Sequence, residues 1–200
     1  MFVKELLGAI FQLLLFSLIT FIWWLITARK KESFFYWIGI KKIKHEKSIL
    51  CTFIITFAVV IIYGLGTSLF LIGFAGEVTV AGSNFADKGL VALPAVLAYG
   101  FIRTALSEEL LFRGFLLKRI GDKFGFIIGN TVQATLFGVM HGIPFGLVTH
   151  NILVTVFLTI LPGALGWYQG WLNEKRCGGS IVSSWLLHGT INVVVACMSL

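Results

Sequence analysis

The sequence predicts an all-α bundle of about six transmembrane helices, and three observations support this prediction. Apolar residues make up 58% of the 200 positions and charged residues only 12%, which is about half the charged share of a soluble domain. The apolar positions form runs of about 20 residues, the length that crosses a bilayer as a helix. Basic residues collect in the short segments between these runs. This pattern excludes a soluble globular domain.

The predicted spans follow one another along the whole chain. They cover approximately residues 6–27, 48–74, 90–119, 124–141, 151–172 and 180–199. The first run is too long for the apolar part of a signal peptide and is followed by Arg29, so we expect it to be retained. An aromatic stretch at 34–38 is expected to lie at the membrane surface. Pro144 is expected to end the fourth span, and Pro162 to kink the fifth.

The net charge of +7 is better explained by membrane topology than by a nucleic-acid partner. Twelve of the 16 Lys and Arg residues lie in three connections, 29–47, 118–123 and 174–176. Because cytoplasmic loops are enriched in Lys and Arg, these connections are predicted to be cytoplasmic. The chain is therefore predicted to be a multi-pass protein of the cell membrane, with both termini on the non-cytoplasmic side, the lipid bilayer as its surroundings and no nucleic acid as a partner.

Ionisable residues inside the third predicted span are the main functional signal. Glu108, Glu109 and Arg113 lie within six residues, and each charge costs about 2.5–3.5 kcal/mol at mid-bilayer. Glu109 and Arg113 are four residues apart on one helix face and can pair. Glu108 points elsewhere and is a candidate for proton chemistry, unless the motif marks a helix end in the headgroup region. Arg103 can pair with Glu108 or Ser107 or extend outward, and the spacing does not decide between these.

Further polar residues lie in the fourth and sixth predicted spans. His141 ends the fourth, while His188 and Asn192 share one face of the sixth. Two chemistries fit this set. A carboxylate and a histidine can activate water while a histidine and an asparagine stabilise an oxyanion. Alternatively, Glu108, His141 and His188 can bind Zn²⁺, although the sequence has no His-Glu-x-x-His motif and this alternative rests on residue types alone.

The order and spacing of three motifs resemble those of the CAAX prenyl protease and bacteriocin-processing family, also called Abi or CPBP. The motifs are Glu108-Glu109-x-x-x-Arg113, Phe137-x-x-x-His141 and His188-x-x-x-Asn192. The resemblance covers about residues 93–196. We therefore expect the chain to have two parts. Residues 1–89 are expected to form two N-terminal transmembrane helices with a basic cytoplasmic loop, and residues 90–200 a protease core.

The resemblance implies an intramembrane endopeptidase that hydrolyses a peptide or protein substrate at the membrane. The family was long described as metalloproteases, and a glutamate-type mechanism without a cofactor is now better supported. On this view Glu108 and His141 activate water, and His188 and Asn192 donate to the oxyanion. Glu109 and Arg113 form a supporting pair, and Phe137 is a packing residue. Zinc remains the alternative cofactor.

Two other function classes are compatible with the bundle. One is a non-catalytic immunity or regulatory protein of the membrane that keeps the same helices. The other is a transporter that uses the polar residues as an ion site, which the lack of paired broken helices in two halves disfavours. The protease hypothesis predicts that Glu108, His141, His188 and Asn192 converge on one water-filled pocket open toward the cytoplasm, with neighbouring side chains roughly 3–7 Å apart.

Overall fold

The computed structural model describes residues 1–45, 47–74, 84–198 and 200 of the chain. Within these residues the regular secondary structure is helical, without a strand. The helices are α1 (Phe2–Thr27), α2 (Phe34–Ile38), α3 (Ile49–Gly73), α4 (Leu90–Phe124), α5 (Phe126–Thr149), α6 (Ile152–Arg176) and α7 (Val182–Cys197). Five of them are long and apolar enough to cross a membrane, and α7 is a shorter apolar helix. The prediction of an all-α bundle of about six spans is confirmed.

The described residues form two compact units. The first contains residues 1–43, 84–115 and 179–198, and so includes α1, α2, most of α4 and α7. The second contains residues 47–74 and 116–178 together with Lys44 and His45, and so includes α3, the end of α4, α5 and α6. Glu108, His188 and Asn192 belong to the first unit, whereas His141 belongs to the second.

In the first unit, α1 packs directly against the middle of α4. Arg103 of α4 donates from Nη1 to Oε2 of Glu5 at 2.8 Å, and its guanidinium covers Gly8 of α1. Arg103 therefore makes an ion pair with the first helix rather than with Glu108 or Ser107. Glu5 and Arg103 are 98 residues apart in the chain, so local spacing does not predict this pair.

The aromatic stretch predicted at the membrane surface forms the short helix α2. The side chain of Ser33 caps its first turn by accepting from the Tyr36 N–H, and Gly39 ends it in a left-handed conformation with φ 96°. Trp37 and Ile38 are buried. The carbonyl of Gly39 then accepts from the N–H of Ile181 at 2.9 Å, which fixes α2 close to the start of α7.

In the second unit, α5 and α6 pack tightly against each other. Helix α5 runs through Pro144 to Thr149, so the expectation that the fourth span ends at Gly142-Ile143-Pro144 was wrong. Three glycines at four-residue spacing present one face of α5 to Thr155 and Thr159 of α6, without room for a β-carbon: Gly138, Gly142 and Gly146. This contact continues on both sides of Pro144, and it stabilises the helix where the proline removes a backbone hydrogen bond.

Polar side chains hold α5 and α6 together near their other ends. Asn130 donates to the carbonyl of Trp167 at 2.9 Å. Gln133 donates to Asn130 Oδ1 at 2.9 Å and to the carbonyl of Gly166 at 3.0 Å. Both side chains are completely buried. These amides therefore join two helices inside the unit, which is a common use of polar residues between membrane helices.

Helix α3 also belongs to the second unit. The hydroxyls of Thr56 and Tyr168 lie 2.5 Å apart, and the rings of Phe70 and Phe157 stack with their centroids 4.2 Å apart. Helix α3 therefore contacts α6 at two levels, while most of its remaining apolar side chains are exposed, as expected for a helix in contact with lipid.

Candidate active site

Helix α4 carries the glutamates between two stretches of π-helix. Ala98–Leu106 and Leu110–Leu117 are π-helical, and Ser107–Glu109 between them is α-helical. Two hydroxyls each donate to the backbone carbonyl five residues earlier in the chain. Thr104 donates to the carbonyl of Tyr99 at 3.0 Å, and Ser107 donates to that of Ile102 at 3.3 Å. π-Helical turns are rare and are enriched at functional sites. No pattern in the sequence predicts this geometry.

Glu109 is the centre of a buried polar cluster in the first unit. It is completely buried, as is Arg113, whose Nη1 lies 3.3 Å from Glu109 Oε1. Ser184 donates to Glu109 Oε2 at 2.5 Å, and His188 Nδ1 lies 3.1 Å from Oε1. One cation and two hydrogen-bond donors therefore surround this carboxylate, which offsets the cost of burying its charge.

Glu108 has a different environment from its neighbour. It is 7% exposed, and its Oε2 lies 3.7 Å from His188 Nε2. This oxygen is buried and has no hydrogen-bond partner among the described residues. The ring of His188 thus lies between the two glutamates, bonded to Glu109 through one nitrogen and facing Glu108 with the other. Of the two adjacent carboxylates, Glu108 is the one with an uncommitted oxygen.

Asn192 lies one turn beyond His188 on α7 and is held against α4. Its Nδ2 donates to the hydroxyl of Thr104 at 2.8 Å, which in turn bonds the backbone of α4. This contact fixes the side-chain amide and leaves the second N–H of Nδ2 for another acceptor. The structure therefore brings Glu108, Glu109, His188 and Asn192 to one pair of helices.

Close packing between α4 and α7 positions these side chains. A β-carbon at Gly100 would lie 2.7 Å from the Val193 side chain, and one at Gly189 would overlap the ring of Phe101. The indole N–H of Trp185 donates to the carbonyl of Phe101 at 2.7 Å. Small residues therefore let the two backbones approach, and the tryptophan fixes the register between the helices.

His141 and Phe137 lie together on α5 in the second unit. His141 Nδ1 is 2.8 Å from the carbonyl oxygen of Phe137, and the two rings are in contact, with centroids 4.5 Å apart. A carbonyl oxygen only accepts, so the bonded Nδ1 carries a proton, and in the neutral ring Nε2 has the lone pair. Phe137 is buried, which agrees with a packing role. The convergence of His141 with Glu108 stays a prediction.

Within the first unit, the described His, Cys, Asp and Glu side chains include no group of three placed to hold a metal ion. His188 Nε2 lies 3.7 Å from Glu108 Oε2, and its Nδ1 lies 3.1 Å from Glu109 Oε1. His141, the third ligand of the zinc alternative, belongs to the second unit.

Sequence reasoning missed two members of the cluster, Ser184 and Thr104. Ser184 precedes His188 by one helical turn and therefore lies on the same helix face. A small polar residue at this spacing was the sequence feature that could have identified it as a member of the cluster. Thr104 similarly lies one turn before Glu108. Both contacts join segments far apart in the chain, and the sequence alone does not show which segments meet.

The contact between Ser184 and Glu109 gives a test of the cluster. We expect Ser184→Ala to lower the free energy of unfolding by roughly 1.5–3 kcal/mol, because a hydrogen bond to a charged group is lost inside the protein. Ser183→Ala is the matched control, since Ser183 donates to a neutral backbone carbonyl, that of Ser180, and a loss of only about 1 kcal/mol is expected. Chemical unfolding in detergent measures both. Equal losses would show that Glu109 does not depend on Ser184.

Fold and site together define a polytopic helical membrane protein with a buried cluster of carboxylates, an arginine and a histidine. A model of the family described as type II CAAX prenyl endopeptidase Rce1-like matches residues 90–194, just over half of the chain. The chain therefore belongs to the Rce1-like family of type II CAAX prenyl endopeptidases, and the resemblance inferred from the three motifs is confirmed. Comparison with curated proteins gave no match, nor did comparison with solved structures.

Membership in this family implies a protease that acts on a peptide or protein substrate. The five long apolar helices support a multi-pass membrane protein. The matched segment includes α4, α5, α6 and most of α7, and so contains all the motif residues.

Proposed function

We propose that this protein is an intramembrane endopeptidase of the glutamic type, in which Glu108 activates the water that attacks the peptide bond. The observation that carries this proposal is the contrast between the two adjacent glutamates. Glu109 is completely buried and bonded to Ser184, His188 and Arg113. Glu108 is slightly exposed and has an oxygen without a hydrogen-bond partner among the described residues. A general base needs such an oxygen to accept a proton.

In the proposed reaction, a carboxylate oxygen of Glu108 takes a proton from water while the water oxygen bonds to the scissile carbonyl carbon. The carbonyl oxygen becomes an oxyanion, and the C–N bond then breaks. The proton taken from water passes to the nitrogen of the leaving amine. His141 assists through Nε2, which the bond from Nδ1 to Phe137 leaves available. Water, substrate and products balance without a further reactant.

His188 and Asn192 are the proposed donors to the oxyanion. Asn192 has one N–H beyond the one that Thr104 accepts. The hydrogen bond between His188 and Glu109 places a proton on Nδ1, so His188 donates from Nε2 only as an imidazolium. Such donors, fixed in a site that excludes bulk water, stabilise a developing oxyanion strongly.

In this proposal the reaction uses no cofactor and the protein binds no nucleic acid. The catalytic pocket opens toward the cytoplasm. The proposal keeps the predicted topology, with both termini on the non-cytoplasmic side, and the division into 1–89 and a protease core at 90–200. Each chemical role is filled by a side chain. The zinc alternative would use Glu108, His141 and His188 as ligands, and metal content together with chelator sensitivity distinguishes it from the glutamic mechanism.

The test is cleavage of a panel of fluorogenic reporter peptides, with and without a prenylated C-terminal cysteine, by purified protein in detergent or nanodiscs. We expect cleavage that persists after treatment with 1,10-phenanthroline, together with a zinc content far below one per chain. Reversible loss of activity on removal of stoichiometric zinc would overturn the glutamic mechanism. No cleavage of any peptide by folded protein would favour the non-catalytic immunity or regulatory protein.

A further inference from the structure

The second unit contains a groove whose lining includes no residue used in the proposed reaction. It has a volume of about 770 Å³. Its walls come from the connection between α4 and α5, the first turn of α5 and the last turns of α6. Each charged side chain among its described lining residues is basic, and there are three: Lys47, Lys175 and Arg176.

Among the described residues, no acidic side chain pairs with a cation of the groove. Glu174, the acidic residue next to Lys175, makes an ion pair with Lys118 at 2.6 Å, and Asp122 lies 3.6 Å from Arg119. Lys175 instead lies over the ring of Phe126, with Nζ 4.5 Å from the centroid. Arg176 similarly lies over the ring of Trp171 at 4.7 Å. Aromatic faces thus hold both cations in place and leave their N–H groups available for an anion.

The rest of the groove is apolar and exposed. Phe124, Ile127 and Ile128 are each more than half exposed, and Trp167 is more than one-third exposed. A soluble anion such as phosphate would leave these side chains in water. An anionic amphiphile would cover them with its chains while its headgroup meets the cations. Tryptophan next to Lys and Arg at the end of a membrane-spanning helix is also typical of the headgroup level of a bilayer.

We propose that this groove binds the headgroup and upper acyl chains of an anionic phospholipid. The phosphate meets Lys47, Lys175 and Arg176, and the acyl chains lie along Ile127, Ile128 and Trp167. Basic pockets between membrane helices are known to select anionic lipids in this way. The lining residues are separate from Glu108, His141, His188 and Asn192, so this site stands independently of the proposed catalytic mechanism.

The test uses the 200-residue chain in a zwitterionic detergent and counts bound lipid by native mass spectrometry. The probes are dioleoylphosphatidylglycerol and dioleoylphosphatidylcholine, which have the same acyl chains and differ in net charge. We expect the anionic lipid to bind more tightly. The double variant Lys175→Gln/Arg176→Gln should weaken its binding by roughly 25-fold, about fivefold for each lost charge. Ile127→Ser should weaken the binding of both lipids and keep the preference between them.

The control is Lys30→Gln/Lys31→Gln, which removes two exposed charges from the basic loop of the first unit. It should leave lipid binding within about twofold of that of the unsubstituted protein, because neither lysine lines the groove and solvent-exposed charges are screened by salt. Thermal unfolding without added lipid shows whether each variant is folded. Equal binding of the two lipids, or equal weakening by the control, would overturn the proposal. Displacement of the lipid by an equal concentration of glycerol 3-phosphate would instead identify a soluble phosphate as the occupant.

Discussion

Glu109→Gln is expected to lower the free energy of unfolding by about 3–5 kcal/mol, and Arg113→Met by a similar amount. Each change leaves the other member of a completely buried ion pair without its counter-charge, and an uncompensated buried charge is strongly destabilising. Glu109→Gln also disturbs the contacts to Ser184 and His188. Thermal and chemical unfolding of the purified variants in detergent measures the effect, together with the yield of folded protein.

The matched control is Asp122→Asn, which also replaces a carboxylate by an amide in a pair within one helix. Asp122 lies 3.6 Å from Arg119, and its side chain is 68% exposed, so a loss of at most about 1 kcal/mol is expected. The double variant Glu109→Gln/Arg113→Met should be more stable than the sum of the single losses predicts, because no isolated charge remains. Unchanged melting temperatures for both single variants would show that the pair is not structural.

Local patterns in the sequence were enough to predict the fold class and the Glu109–Arg113 pair. The length and hydropathy of a run decide whether it spans a bilayer, and four-residue spacing brings two side chains together on a helix. Span length and four-residue spacing both depend only on residues near each other in the chain. The spans α1, α3 and α6 could therefore be predicted regardless of what each helix contacts.

Contacts between distant segments could not be predicted in the same way. Arg103 had several local candidates, yet it pairs with Glu5, 98 residues away in sequence. Helix α5 continues through Pro144, because packing of its glycines against α6 outweighs the local tendency of proline to end a helix. Ser184 and Thr104 also make hydrogen bonds between distant segments. These bonds depend on the close packing of α7 against α4, which no local pattern encodes.

The role of the two glutamates leads to the prediction with the largest effect on activity. Glu108→Gln should reduce kcat by roughly 10²–10⁴-fold, the usual contribution of a general base, because an amide cannot take a proton from water. His141→Ala should cause a loss of the same order. The melting temperature of Glu108→Gln should fall less than that of Glu109→Gln, because Glu108 Oε2 has no hydrogen-bond partner among the described residues that the substitution could remove. Peptide cleavage at saturating substrate measures kcat.

Comparison with Glu109→Gln separates a chemical role from a structural one, since both variants make the same change at adjacent positions. Glu108→Gln should lose mainly activity, whereas Glu109→Gln should lose both activity and stability, because Glu109 is bonded to Arg113, Ser184 and His188. Glu108→Asp is a further check, since it keeps the carboxylate, shortens its reach and should retain part of the activity. Unchanged turnover by Glu108→Gln would remove Glu108 as the base. Equal destabilisation by both amide substitutions would mean that the two carboxylates act as one structural unit.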